Sequence, residues 1–178
     1  MARTLRSNSL AKTDVVSIQR GAGAVARKDF QQLKVLVVDG NGHMRQVLRR
    51  HLYALTIDDI REAATGKEGL RLLRGFYPDL IICDLESERV GGIELVIRIR
   101  TGTAGVDPLV PLITVTGAID VAEVRTLCEA GADALQPRPI MLRRLYLAIV
   151  DALGCSRGAS APTQGRGQGA EAYYTKGR

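Results

Sequence analysis

The chain has 178 residues, a formal net charge of +6, 46% hydrophobic and 4% aromatic residues, and no tryptophan. That length holds one domain of ordinary size with additional ends. No apolar stretch reaches the ~20 residues needed to span a bilayer, and the basic N-terminus has no apolar core behind it, which excludes a secretory signal. Cys83, Cys128 and Cys155 are an odd number without CxxC spacing. They point to inert thiols in a reducing cytoplasm, and the expected location is cytoplasmic.

In chain order, Leu33 to Val38 is an apolar run that stops on Asp39. Met44 to Leu55 follows with apolar residues at helical spacing. A weaker strand covers Ile57 to Arg61. Lys67 to Arg74 reads as a short helix closed by Gly75 and Pro78. A second run, Asp79 to Cys83, stops on Asp84. Ile93 to Ile99 is helical in pattern. A third run, Pro111 to Val115, stops on Thr116. Val121 to Ala130 is a further helix, Ala134 to Gln136 a fifth strand, and Met141 to Leu153 a last helix. Short runs rich in Val and Ile read as strands buried on both faces. Alternating strands and helices give a doubly wound α/β fold with a five-stranded parallel sheet and right-handed crossovers. Ligands bind such sheets outside the carboxyl ends of the strands. Asp39, Asp84 and Thr116 all stand there, a set suited to a hard cation and a phosphoryl group.

The motifs from Leu33 to Leu153 resemble the receiver domain of bacterial two-component response regulators, which has the flavodoxin-like fold of the chemotaxis regulators. The segments that carry the resemblance, in order, are Val35 to Asp39, Glu62-Ala63-Ala64-Thr65-Gly66, Pro78 to Asp84, Gly92-Ile93-Glu94-Leu95, Thr116-Gly117, and Ala130 to Asp133 with Arg138-Pro139-Ile140. The resemblance implies a signalling protein rather than an enzyme. Asp84 would accept a phosphoryl group from a histidine kinase or phosphotransfer partner. A carboxylate at a strand end needs no base to act as nucleophile. Asp39, Asp84 and the backbone carbonyl of Glu86 would hold Mg²⁺, Thr116 would donate its hydroxyl to the phosphoryl group, and Arg138 would supply a cation. Output would run to a protein partner through the face of the fourth helix, fifth strand and fifth helix. The Arg138-Pro139 peptide is expected to be cis.

Several positions depart from the family pattern. Gly40 stands where a second acid is usual, and Arg138 where lysine is usual. Ser87-Glu88 replaces Met-Pro, Gly91-Gly92 replaces Asp-Gly, and Leu135 replaces an aromatic. Two side-chain carboxylates remain instead of three, so Mg²⁺ affinity is expected to be weak. Arginine for lysine is not conservative at a tight site. Each site residue also has a plainer role open to it. Asp39 suits a helix N-cap, Asp84 a polar strand end, Thr116 a β-branched strand position and Arg138 a surface charge. The alternative function is a pseudo-receiver, a binding module of the same fold that acts without phosphorylation. A flavin or nucleotide enzyme is a third class. It is disfavoured because Gly40-Asn41-Gly42 does not extend to GxGxxG and no GxxxxGK[ST] occurs. His43 and His51 are lone histidines without a second ligand at metal spacing.

The expected organisation is a basic, largely flexible extension over 1–32, a receiver over 33–153 and a disordered basic tail over 154–178. The chain after Leu153 is too short for a DNA-binding or catalytic output domain. Charge is uneven: residues 1–32 hold six basic and two acidic residues, and 155–178 hold four and one. Such ends either touch nucleic acid or acidic lipid or merely aid solubility. No aromatic interleaving supports base readout.

Overall fold

The computed structural model describes residues 30–84, 91–117, 125 and 128–157. The described elements are β1 (Lys34–Val38), α1 (Gly42–Ala54), β2 (Asp59–Ala63), α2 (Gly66–Phe76), β3 (Leu80–Asp84), α3 (Gly92–Arg100), β4 (Leu112–Thr116), β5 (Ala134–Pro137) and α4 (Leu142–Arg157). The strands form one parallel sheet in the order β2-β1-β3-β4-β5. The expected helix at 121–130 falls mostly outside the described residues; of it, Arg125, Cys128 and Glu129 are described and have helical backbone. Glu86 and most of the expected tails, residues 1–29 and 158–178, also lie outside the described residues, whereas residues 154–157, expected to begin the tail, continue α4.

Alternation along each strand splits the apolar side chains into two cores. Val35, Val37, Leu80, Ile82, Ile113 and Val115 face Leu48 and Leu52 of α1 and Leu145 and Ile149 of α4. Leu36, Val38, Ile81, Cys83 and Leu112 face Leu73 of α2 and Leu95 and Ile99 of α3. The three central strands are therefore buried on both sides, as their unbroken apolar runs require. Gly69 of α2 lies so close to the sheet that an added Cβ would stand 3.2 Å from Val38 Cγ2 and 3.4 Å from Leu95 Cδ2. That approach seats α2 between β1 and α3.

Two boundaries differ from the sequence reading. Strand β2 begins at Asp59 rather than Ile57. The chain turns through Thr56 in left-handed backbone (φ 69°), and the Ile57 N–H still bonds Leu52 O at the end of α1. Ile57 is fully buried, but in the turn and not in the sheet. Phe30, which lies before the run that starts at Leu33, is 3% exposed. Its ring meets Tyr146 of α4 edge-on, with centroids 5.8 Å apart.

Candidate phosphoryl-acceptor site

Strands β1 and β3 pair with Val38 opposite Cys83, so Asp39 and Asp84 leave adjacent strands at the same level. Parallel strands lie about 4.8 Å apart. Asp84 is opposite Val115, and Thr116 follows one residue on. Thr116 is opposite Pro137, and its carbonyl accepts the Arg138 N–H at 2.9 Å. Asp39, Asp84, Thr116 and Arg138 thus gather at the carboxyl edge of the sheet, although they span about a hundred residues of chain. The Arg138-Pro139 peptide is cis.

Arg138 reaches across β4 to Asp84, with Nη2 3.1 Å from Oδ2. The Asp84 side chain is 8% exposed and that of Arg138 is 32% exposed. Thr116 is fully buried.

Asp39 is buried too, and it is not the helix cap that its position allows. Asn41 caps α1, accepting from the N–H groups of His43 and Met44. Asp39 Oδ1 instead accepts the Asn41 N–H at 2.7 Å, while Oδ2 is buried with no hydrogen-bond partner. Burial pushes the Asp39 carboxyl above its ordinary value. The Asn41 N–H opposes that shift, Asp84 adds to it, and Arg138 and Arg45 counter it. An orphaned carboxylate oxygen beside a second carboxylate is an environment that a cation would relieve.

The sequence reading did not single out Arg45. Its Nη1 donates to the Asp39 carbonyl at 2.7 Å and its Nε to Glu62 Oε2 at 3.3 Å. Arg49 also pairs with Glu62, at 3.2 Å. The turn at Gly40, which lacks the usual acid, is braced from α1 by this guanidinium. Glu62 lies within β2 and was visible in the sequence only as part of the Glu62-Ala63-Ala64-Thr65-Gly66 segment. Its bonding to α1 carries no periodic signal.

The remaining candidates are plain. His43 is exposed, and His51 Nδ1 lies 2.9 Å from Val47 O within α1. Cys83 is buried on the opposite side of β3 from Asp84. Burial, then the Asp84 and Asp39 charges, push its thiol far up, so it stays protonated. Leu135 is buried in the core under α2 and α3.

The fold and this edge define a receiver. The model of the response regulator receiver domain matches residues 35–150, and the chain belongs to that family. It is 32% identical over 130 residues to a chemotaxis protein CheY homolog of Campylobacter jejuni, covering 72% of this chain and 98% of that protein. It is 31% identical over 113 residues to response regulator MprA of Mycolicibacterium vanbaalenii, covering 64% of this chain and 47% of that protein. A CheY-like receiver domain protein from Methanospirillum hungatei superposes with a TM-score of 0.61 at 25% identity, over 72% of this chain and all of that one. The chemotaxis response regulator CheY4 of Vibrio cholerae superposes at 0.60 and 22% identity, a likeness of fold, over 67% of this chain and 98% of that one. Receivers are signalling modules of two-component systems, and magnesium is typical of them. No described helix is long and apolar enough to cross a membrane.

Proposed function

We propose that Asp84 accepts a phosphoryl group from the phosphohistidine of a histidine kinase or phosphotransfer partner. The observation that carries this reading is the placing of Asp84 between Asp39 and the guanidinium of Arg138 at the carboxyl edge. In the transfer an Asp84 oxygen forms the P–O bond as the P–N bond breaks, and the departing imidazole takes up a proton. Catalysis of such a step is positioning and charge neutralisation. Arg138 moves from the Asp84 carboxylate to the phosphoryl oxygens, which its planar fork suits. Thr116 donates its hydroxyl to the same group. The signal then passes by protein contact through the surface formed by residues 121–130, β5 and α4.

The orphaned Oδ2 of Asp39 fits a cation at this edge. Asp39 and Asp84 would hold Mg²⁺, with the Glu86 carbonyl completing the set. Such an ion neutralises the anionic oxygens of carboxylate and phosphoryl group. Only two side-chain carboxylates take part, so binding is weak. Gly40 does not lie in left-handed backbone, so its φ admits an aspartate. Gly40→Asp is expected to tighten Mg²⁺ binding about tenfold or more, read by calorimetry or by amide resonances around residues 39–41.

A second reading is favoured by the same ion pair. A guanidinium already seated on the acceptor oxygen neutralises it, as a pseudo-receiver that never takes phosphate requires. One experiment separates the two. The protein is incubated with a small phosphodonor and Mg²⁺ and its intact mass is measured. A single phosphoryl adduct that is absent in Asp84→Asn supports transfer. An adduct that persists in the variant overturns the assignment. No adduct in the wild type selects the pseudo-receiver.

A further inference from the structure

Strand β5 stands at one end of the described sheet and pairs with β4. Gln136 lies in it, opposite Val115 and next to Pro137. Side chains alternate along a strand, so Gln136 falls on the side of Ala134 and Val115, which α4 covers. It is 0% exposed. An amide so placed is costly unless its polar atoms are paired. Gln136 meets that condition only in part. Its Nε2 donates to the Pro137 carbonyl at 2.9 Å, and its Oε1 is buried with no hydrogen-bond partner. Turning the amide over gains nothing, because a carbonyl only accepts and would then face Oε1. An apolar side chain of the same length would fill the place with no orphaned atom. Stability alone therefore does not account for glutamine here.

The bond that Gln136 does make falls on one peptide. The Arg138 N–H donates to Thr116 O of β4 at 2.9 Å. The peptide between Pro137 and Arg138 is trans, so its carbonyl points the other way, to the outer edge of the sheet. There Gln136 supplies the donor that a neighbouring strand would otherwise give. The peptide is thereby held on both sides, by Thr116 toward β4 and by Gln136 toward the edge. It leads directly into the Cα of Arg138, so fixing its plane restricts the direction in which the Arg138 side chain leaves the strand. That side chain crosses β4 to bring Nη2 to 3.1 Å from Asp84 Oδ2. An error of direction at its root grows along its length, and a site of this kind needs its groups held by a supporting layer.

We propose that Gln136 is a positioning residue. It fixes the Pro137–Arg138 peptide so that the Arg138 guanidinium is aimed at Asp84. Its bearing on phosphoryl transfer rests on the function proposed above. Gln136 acts through Arg138 and has no chemical part in the transfer.

The test uses the full chain and Gln136→Met, which keeps the length of the side chain and removes both polar atoms. The variant is expected to melt no lower than the wild type, because the orphaned oxygen leaves with the amide and water can replace the donor at the half-buried Pro137. The guanidinium resonances of Arg138, assigned by their loss in Arg138→Lys, are expected to move toward the positions they take in Asp84→Asn, where the ion pair is broken. Phosphorylation of Asp84 by a small phosphodonor with Mg²⁺ is expected to slow about fivefold or more. In an Arg138→Met background the same substitution should slow it no further, since one residue acts through the other. Arg138 resonances that stay in place in Gln136→Met overturn the proposal, whatever the melting temperature. A further fall in rate in the Arg138→Met background also overturns it, because Gln136 then acts on the site by another route. Gln136→Leu, measured in the same way, excludes a packing fault peculiar to methionine. If the wild type takes up no phosphoryl group, the function proposed above fails, and the Arg138 resonances still decide whether Gln136 aims the guanidinium.

Discussion

Asp39 is held by the fold in a state that its charge resists. One oxygen has the Asn41 N–H, and the other has no partner. Burial and the neighbouring Asp84 both favour the protonated form, so its proton affinity is raised from the ordinary 3.8. A raised value in the folded state means that the folded chain binds the proton more readily than the unfolded one. The stabilisation that protonation brings is complete below the unfolded value and is lost as pH rises through the folded value. In chelator at pH 7, Asp39→Asn is therefore expected to melt higher than the wild type. The gap should close as pH falls, because the wild type then takes up the proton itself. A variant that melts lower at pH 7 would show that the Asn41 contact outweighs the burial. The identity of Asp39 was legible in the sequence because a parallel strand delivers its last residue to one edge. Its lack of a second hydrogen bond was not, since that depends on groups from β2 and α1 that arrive from elsewhere in the chain.

At the scale of elements, Arg100 joins four pieces of backbone that periodicity assigns separately. From the end of α3 its Nε and Nη2 donate to Gly131 O at 3.0 and 2.8 Å, and its Nη1 donates to Pro108 O and Val110 O, both at 2.8 Å. Nη2 also meets Asp133 Oδ2 at 2.8 Å, and that oxygen accepts the Leu112 N–H. The side chain is 16% exposed, and that of Asp133 is 7% exposed. This cluster ties α3 to the starts of β4 and β5 at the edge opposite the acceptor site. Removing one member of a buried ion pair costs about 3–5 kcal/mol, because the other charge stays buried. Arg100→Met is expected to lower the unfolding free energy by that amount, read as a fall in the urea midpoint with little change in slope. Adding Asp133→Asn should recover part of the loss, since it removes the stranded charge. Recovery is incomplete because the Gly131, Pro108 and Val110 carbonyls still lack their donor. A single-variant cost under about 1 kcal/mol would show that solvent replaces the guanidinium. In the sequence the helical pattern ends at Ile99, and Arg100 behind it carries no signal of its own. Its partners lie 8 to 33 residues away, beyond the reach of any helical spacing.

For the whole molecule, the sheet order and the carboxyl edge could be read from the sequence because both follow from alternation of buried strands and helices. Asp84, Thr116 and Arg138 were placed at the site by that logic and by the family motifs. The start of the folded unit was harder to read. Phe30 stands alone in a polar segment, so it gives no periodic signal, and only its meeting with Tyr146, far along the chain in α4, puts it in the core. Its contribution is large for one side chain. Truncating a buried phenylalanine costs about 3–5 kcal/mol, and an edge-to-face ring pair accounts for roughly 0.5–1.5 kcal/mol of such a loss. For a domain of this size that corresponds to a fall in melting temperature of roughly 10 °C or more. Phe30→Ala is expected to show that fall in calorimetry, and Phe30→Leu should lose less because it keeps most of the buried volume. A change below about 2 °C in Phe30→Ala would return the boundary to Leu33.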